Sequence, residues 1–293
     1  MKKQGDVVGM VPGASTQPLT TEPCQIDSDC IGERWQVDDD EQLARLVAII
    51  AMGQAAQVSH ILSELLSATP AFTIPELNAE AKIRLTVQGE KQTPRIGYPR
   101  WQRDGFIFEA ISWIAARQVY GKSAYMKDPH VSATSQGLDG LMLELSDDKT
   151  QIGRTTVFED KCTDDPISTF KYKVIPAFRD RHDNKRSAEI IAAATALLGR
   201  AGIADGAAAQ LAAAVTDRTK RRYRAAFAVT TAFDSENDRK ELFAGYNEIG
   251  NIAQAQRLGA CLVVPPELRN WFDQLAEQAI AYIETLSGGE ANV

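Results

Sequence analysis

The chain has 293 residues, 44% of them hydrophobic and 24% charged, which is enough apolar material for the core of one large domain or two modest ones. No stretch approaches the roughly 18 to 20 apolar residues that cross a bilayer, and no apolar run follows the lysines of the opening MKKQGDVVGMVPGAST, so a soluble cytoplasmic protein is expected. The net charge of −7 speaks against a general polyanion binder, and four scattered cysteines without paired CxxC motifs or a His cluster exclude a disulfide framework and a zinc site; free thiols are expected, with Cys24 and Cys30 the alternative pair.

Residues 1–35 are rich in Gly, Pro, Thr and Asp without an apolar period and are expected to be irregular. From Asp38, DDDEQLARLVAIIAMGQAAQVSHILSELLSATP predicts a helix or helical pair ending by Pro70, with acids at its amino end where the helix dipole favours them. A short strand is predicted at 81–89, and together these make a helical N-terminal region over 36–95. The loop TPRIGYPR leads to a helix, WQRDGFIFEAISWIAARQVYG, closed by Gly121. Two strands follow, 137–145 and 153–162, joined by the polar turn SDDKTQI. Three helices are predicted next: DDPISTFKYKVIPAFRDRH, NKRSAEIIAAATALLGR and the Ala-rich DGAAAQLAAAVTDR. RYRAAFAVTTAF, dense in β-branched and aromatic residues, predicts another strand. A helix near 236–257, a short strand at CLVV and a helix PELRNWFDQLAEQAIAYIETL complete the chain. The order predicts an α/β core over 96–235 and a helical C-terminal extension over 236–293 packed on it.

Strand side chains alternate faces, so Glu159 and Lys161 project together while Phe158 and Asp160 project oppositely. Asp160 is therefore expected to be solvated or capping. Asp139, behind Gly137, opens the preceding strand, and if the two strands are neighbours it can approach Glu159. Two carboxylates converging at a sheet edge suit Mg²⁺ or Mn²⁺, and a lysine beside them can orient or help deprotonate a metal-bound water. On the upstream helix Glu109 lies between Phe106 and Trp113, where partial burial calls for a partner: a metal, Arg117 or Lys161. Glu-x-Lys also arises by chance. Glu80 and Lys82 supply an internal control, because no Asp-headed strand precedes them, and the alternative for Glu159 and Lys161 is a structural salt bridge.

The ordered set of Glu109, Asp139 and Glu159-Asp160-Lys161 resembles the PD-(D/E)XK nuclease superfamily over roughly residues 100–235, with Leu138 where the fullest motif has proline. The resemblance implies a restriction-endonuclease-like mixed β-sheet core flanked by helices. It implies Asp139 and Glu159 as metal ligands, Lys161 as the water-positioning residue and Glu109 as a further ligand. More narrowly, the size and helical flanks resemble nuclease subunits of bacterial anti-phage systems such as the Hachiman type, which work with a helicase.

Charge is unevenly spread: residues 1–50 hold nine acids against four bases, whereas 175–230 hold ten bases against five acids. Arg218, Lys220, Arg221, Arg222 and Arg224 are candidate phosphate contacts, with a solvated surface as the alternative; RDRHDNKR at 179–186 is a weaker one, broken by two aspartates. Ser135 and Gln136 are candidate phosphate neighbours, and none of His60, His130 and His182 has ligand-like spacing. The final helix carries Leu268, Trp271, Phe272, Leu275, Ile280 and Ile283 as a stripe for core packing or for a partner. The expected function is metal-dependent hydrolysis of DNA phosphodiester bonds in company with a helicase or other subunit. The alternative is a non-catalytic nuclease-fold subunit that binds a partner.

Overall fold

The structure, a computed structural model, describes residues 17–90, 93–131 and 137–288. Ser135, Gln136 and the first sixteen residues lie outside the described residues. The chain opens with a hairpin, β1 (Leu19–Cys24) and β2 (Ile31–Val37). Four helices follow: α1 (Asp40–Ala51), α2 (Ala55–Glu64), α3 (Pro75–Leu85) and α4 (Arg100–Tyr120). The Asp39 side chain caps α1 by accepting from the Gln42 amide, and α4 stops at Gly121, whose φ of +53° suits a residue without a Cβ. Then come β3 (Ala124–Met126), β4 (Gly140–Leu145) and β5 (Ile152–Lys161). α5 (Pro166–Thr169) runs through a π turn, Phe170–Val174, into α6 (Ile175–His182). α7 (Ser187–Arg200), α8 (Asp205–Ala212), β6 (Arg221–Thr230), α9 (Glu236–Leu242), β7 (Arg257–Val264) and α10 (Leu268–Gly288) complete the fold.

All seven strands form one mixed sheet in the order β1-β2-β7-β6-β5-β4-β3. β2, β7, β6 and β5 run parallel at its centre, with antiparallel strands at both edges. Side-chain alternation divides the core in two. Met142, Phe158, Ala226, Ala228 and Leu262 face a layer built from α1, α2, α3, α4 and α10. Leu141, Leu143, Val157, Tyr223, Ala225 and Phe227 face Phe170, Val174, Phe178, Ile190 and Leu198 of the α5–α7 layer. The molecule is thus a mixed α/β sheet flanked by helices on both faces.

Several elements differ from expectation for identifiable reasons. The segment expected to be irregular over 1–35 supplies β1 and most of β2: β2 pairs with β7, and its Trp35 is completely buried in the core beneath the helices, contacts no local pattern announces. Residues 81–85, expected in a strand because of their β-branched bias, finish α3, which starts at Pro75 and Glu76 and turns Ala81 and Leu85 inward. The helix expected over 236–257 stops at Leu242. β7, expected as a fragment of an extension, is a fully buried central strand. Trp271, Phe272, Leu275 and Ile283 of α10 are buried, so that stripe belongs to the core. All four cysteines are free thiols. Among the described residues no helix is long and apolar enough to cross a membrane.

Trp35 ties the hairpin to the core. Trp35→Ala is expected to cost about 3 to 5 kcal/mol, read as a lower urea midpoint at unchanged slope; a shift within error would show that the hairpin contributes nothing to stability.

Candidate active site

The antiparallel register pairs Gly140 with Phe158, which sets Asp139 against Glu159 at the end of the β4–β5 ribbon. Glycine is required at 140, because a Cβ there would lie 2.6 Å from Cδ2 of the Phe158 ring. Asp139, Glu159 and Lys161 all project toward the α5–α7 side. The Lys161 ammonium sits between the two carboxylates, 2.5 Å from Asp139 Oδ2 and 2.8 Å from Glu159 Oε2. The Asp160 amide also donates to Asp139 Oδ2, at 3.1 Å.

Arg181 of α6 enters from above and places Nη1 2.5 Å from Glu159 Oε1. It is 1% exposed, and Glu159 is 6% exposed. A buried carboxylate that serves two cations is the answer to the desolvation cost of its charge. Burial raises the Glu159 pKa against the pull of Lys161 and Arg181. Burial also acts to raise Asp139, but Lys161 and the Asp160 amide outweigh it, so this carboxyl lies below its ordinary value. Lys161 is raised: burial would lower it, and Glu159 with Asp139 prevails. Near neutral pH Lys161 is therefore an ammonium, able to donate and orient but not to accept a proton.

Asp160 points to the other face and is not solvated. It is enclosed with Arg224, whose Nη2 lies 3.5 Å away, and burial raises its pKa to about 7, with Arg224 opposing. Arg224 is itself 1% exposed, bonds to the Ser112 hydroxyl, and stacks 3.8 Å from the Phe158 ring centre and 5.1 Å from that of Trp35. The burial of Asp160 follows from α4 covering that face of β5, which strand periodicity alone does not reveal.

Glu109 is occupied by neither Arg117 nor Lys161. It accepts from the His130 amide at 2.8 Å and lies 3.0 Å from His130 Nδ1, while Lys127 Nζ is 3.2 Å from Nε2 of the same ring. Arg117 instead reaches the carbonyls of Gly121 and Ala124 and lies over Trp113. Glu109 thus forms a second acidic station, beside the Asp139–Glu159 pair rather than in it. His130 and Arg181 were not legible as site residues: their roles come from a loop end and a helix face brought in by tertiary packing. His60 is exposed on α2, and His182 is buried against the Tyr223 hydroxyl.

Of the basic run at 218–224, Arg221 and Arg224 are buried, so they do not belong to an exposed phosphate track. Arg221 bonds to the Val215 carbonyl at 2.9 Å and to Arg181 O and Asn184 Oδ1. Lys220 donates to the Ile152 carbonyl and Arg222 to the Tyr120 hydroxyl; Arg218 is exposed. Parallel register sets Arg221 beside Thr155, four residues before Glu159, so Arg221 lies about 13 Å along the strands from the acidic pair, while Arg224 lies beside Phe158 with its side chain on the opposite face from Glu159. The cations at 179–186 are paired as well, Arg179 with Glu248, Lys185 with Asp180 and Arg186 with Glu189. The control pair resolves cleanly: Glu80 bonds to Arg84 and Lys82 lies 3.7 Å from Glu284, both on helix surfaces. Among the described residues no group of three or more His, Cys, Asp and Glu side chains is placed to hold a metal ion.

Removing Arg181 leaves the buried Glu159 carboxylate with Lys161 as its one paired cation among the described residues and takes the partner from Oε1. Arg181→Met is expected to lose about 3 to 5 kcal/mol in chemical denaturation, and Arg181→Met with Glu159→Gln to recover most of it; additive losses would show that the two residues are not coupled. No protein-family model matches the chain, and no curated protein matches it in sequence.

Proposed function

We propose that the chain is a Mg²⁺-dependent deoxyribonuclease of the PD-(D/E)XK, restriction-endonuclease-like kind, hydrolysing phosphodiester bonds at Asp139, Glu159 and Lys161. The observation that carries this reading is the Lys161 ammonium bridging Asp139 and Glu159, three groups projected from adjacent strands to one point.

The donor set suits a hard cation. Mg²⁺ is commonly bound through one or two carboxylates, with waters and substrate phosphate oxygens completing its shell, so Asp139 and Glu159 suffice to hold it, and Mn²⁺ fits the same oxygens. When bound, the cation would neutralise charge on a phosphate oxygen and acidify a water. Lys161, protonated and partly exposed, donates to the attacking water or to the phosphate and so orients the reacting atoms. Arg181 holds one Glu159 oxygen and leaves the other directed at Lys161 and Asp139. Glu109 and His130, beside the pair, belong to the same reading as a station for an attacking or departing group.

A second reading draws on one specific observation: Asp139, Lys161, Glu159 and Arg181 already neutralise one another pairwise. Such a closed set also serves as a structural ion network in a non-catalytic subunit that binds a partner. Work with a helicase in a bacterial anti-phage complex is part of the primary proposal and rests on resemblance in size and helical flanks alone.

Plasmid DNA incubated with Mg²⁺ and the protein, with and without a candidate helicase, separates the two readings. Asp139→Ala, Glu159→Ala and Lys161→Ala are each expected to slow cleavage by at least about a hundredfold, and EDTA to abolish it. Cleavage at equal rates by wild type and all three variants would rule out the enzyme reading.

A further inference from the structure

Lys171, Tyr172 and Lys173 form an exposed triplet on the π turn between α5 and α6. Tyr172 is 67% exposed, and Lys171 Nζ lies 5.3 Å from its ring centre. Neither lysine has a carboxylate partner among the described residues, whereas most other cations of this acidic chain are paired. No Asp or Glu occurs from Pro166 to Phe178, although Asp164 and Asp165 precede this segment and Asp180 follows it.

The backbone explains the presentation. Pro176 cannot donate to the Tyr172 carbonyl, and its ring would crowd that carbonyl in a regular helix. The chain widens instead, with the Ile175 amide bonding to Phe170 O. Phe170 and Val174 stay in the core, and Lys171, Tyr172 and Lys173 are turned outward. π turns of this kind recur at functional positions. The triplet is also tied to the segment that leaves β5. Thr163, two residues past Lys161, lies 3.3 Å, hydroxyl to hydroxyl, from Thr169, two residues before Lys171.

We propose that Lys171, Tyr172 and Lys173 form a docking platform for single-stranded DNA. In it, a base stacks on the Tyr172 ring and the two ammonium groups contact the flanking phosphates. An exposed aromatic ring favours a single strand over a duplex, whose bases are already stacked on each other, and adjacent lysines match phosphate charge without reading sequence. This deepens the nuclease reading by naming the form of DNA engaged, and it rests on that reading.

The test is fluorescence anisotropy of the full chain with a labelled 20-nucleotide single strand and the matching duplex, in EDTA so that binding is measured without cleavage. Tyr172→Ala is expected to weaken single-strand binding about tenfold and duplex binding far less. Lys171→Gln with Lys173→Gln is expected to lower the salt dependence by about one to two phosphate contacts. Lys122→Gln, an exposed cation that pairs with Glu64 of α2 in the layer on the other face of the sheet, is the control and is expected to leave single-strand affinity unchanged. The proposal is overturned if the wild type does not bind the single strand, or if Tyr172→Ala binds it as tightly as the wild type. Duplex cleavage that depends on Glu159 alongside such a result would leave the nuclease reading intact; Tyr172-dependent binding without Glu159-dependent cleavage would do the reverse.

Discussion

β5 ends by placing three charged residues in succession, Glu159, Asp160 and Lys161, where a sheet covered on both faces gives way to the next loop. Because a strand alternates, these charges cannot all be met from one side. Arg181 of α6 answers Glu159 on one face, and Arg224 of β6 answers Asp160 on the other, with Ser112 of α4 beside it. Lys161 is then shared between Glu159 and Asp139, which fixes the end of β4 against β5. The position of two helices and two neighbouring strands therefore follows from satisfying one short segment. Leaving any one of these charges unmatched in the interior would cost several kcal/mol.

The same requirement links both halves of the core. Arg224 lies between Phe158 and Trp35, so a residue of the amino-terminal hairpin packs against the guanidinium that neutralises the segment carrying the candidate catalytic groups. Gly140 works at a finer scale. Its missing side chain leaves room for the Phe158 ring against β4 and so preserves the approach of Asp139.

What could be read from the chain, and what could not, divides along physical lines. The β4–β5 ribbon was legible because apolar alternation, a polar turn and the two-residue period of strands are local properties. The same period correctly puts Glu159 and Lys161 on one side, and antiparallel pairing brings Asp139 to them. Arg181 was not legible: it sits in a run that looks like solvated charge, and only the packing of α6 on the sheet turns it inward. Asp160 and Arg224 failed for the related reason that a polar side chain between two layers looks identical in sequence to one in solvent. β1 and β2 carry too few apolar residues to announce themselves, and their place in the sheet is set by a strand far along the chain.

That distant partner has a consequence for how the molecule is made. β2 pairs with β7, Ile31 beside Leu258 and Trp35 beside Leu262, so about three quarters of the polypeptide lies between the two sides of this contact. During synthesis β2 emerges well before the strand it pairs with. Until then Trp35 and an unpaired strand edge are available to other chains, and closing so long a loop is slow. The central sheet is thus complete only once β7 takes its place between β2 and β6.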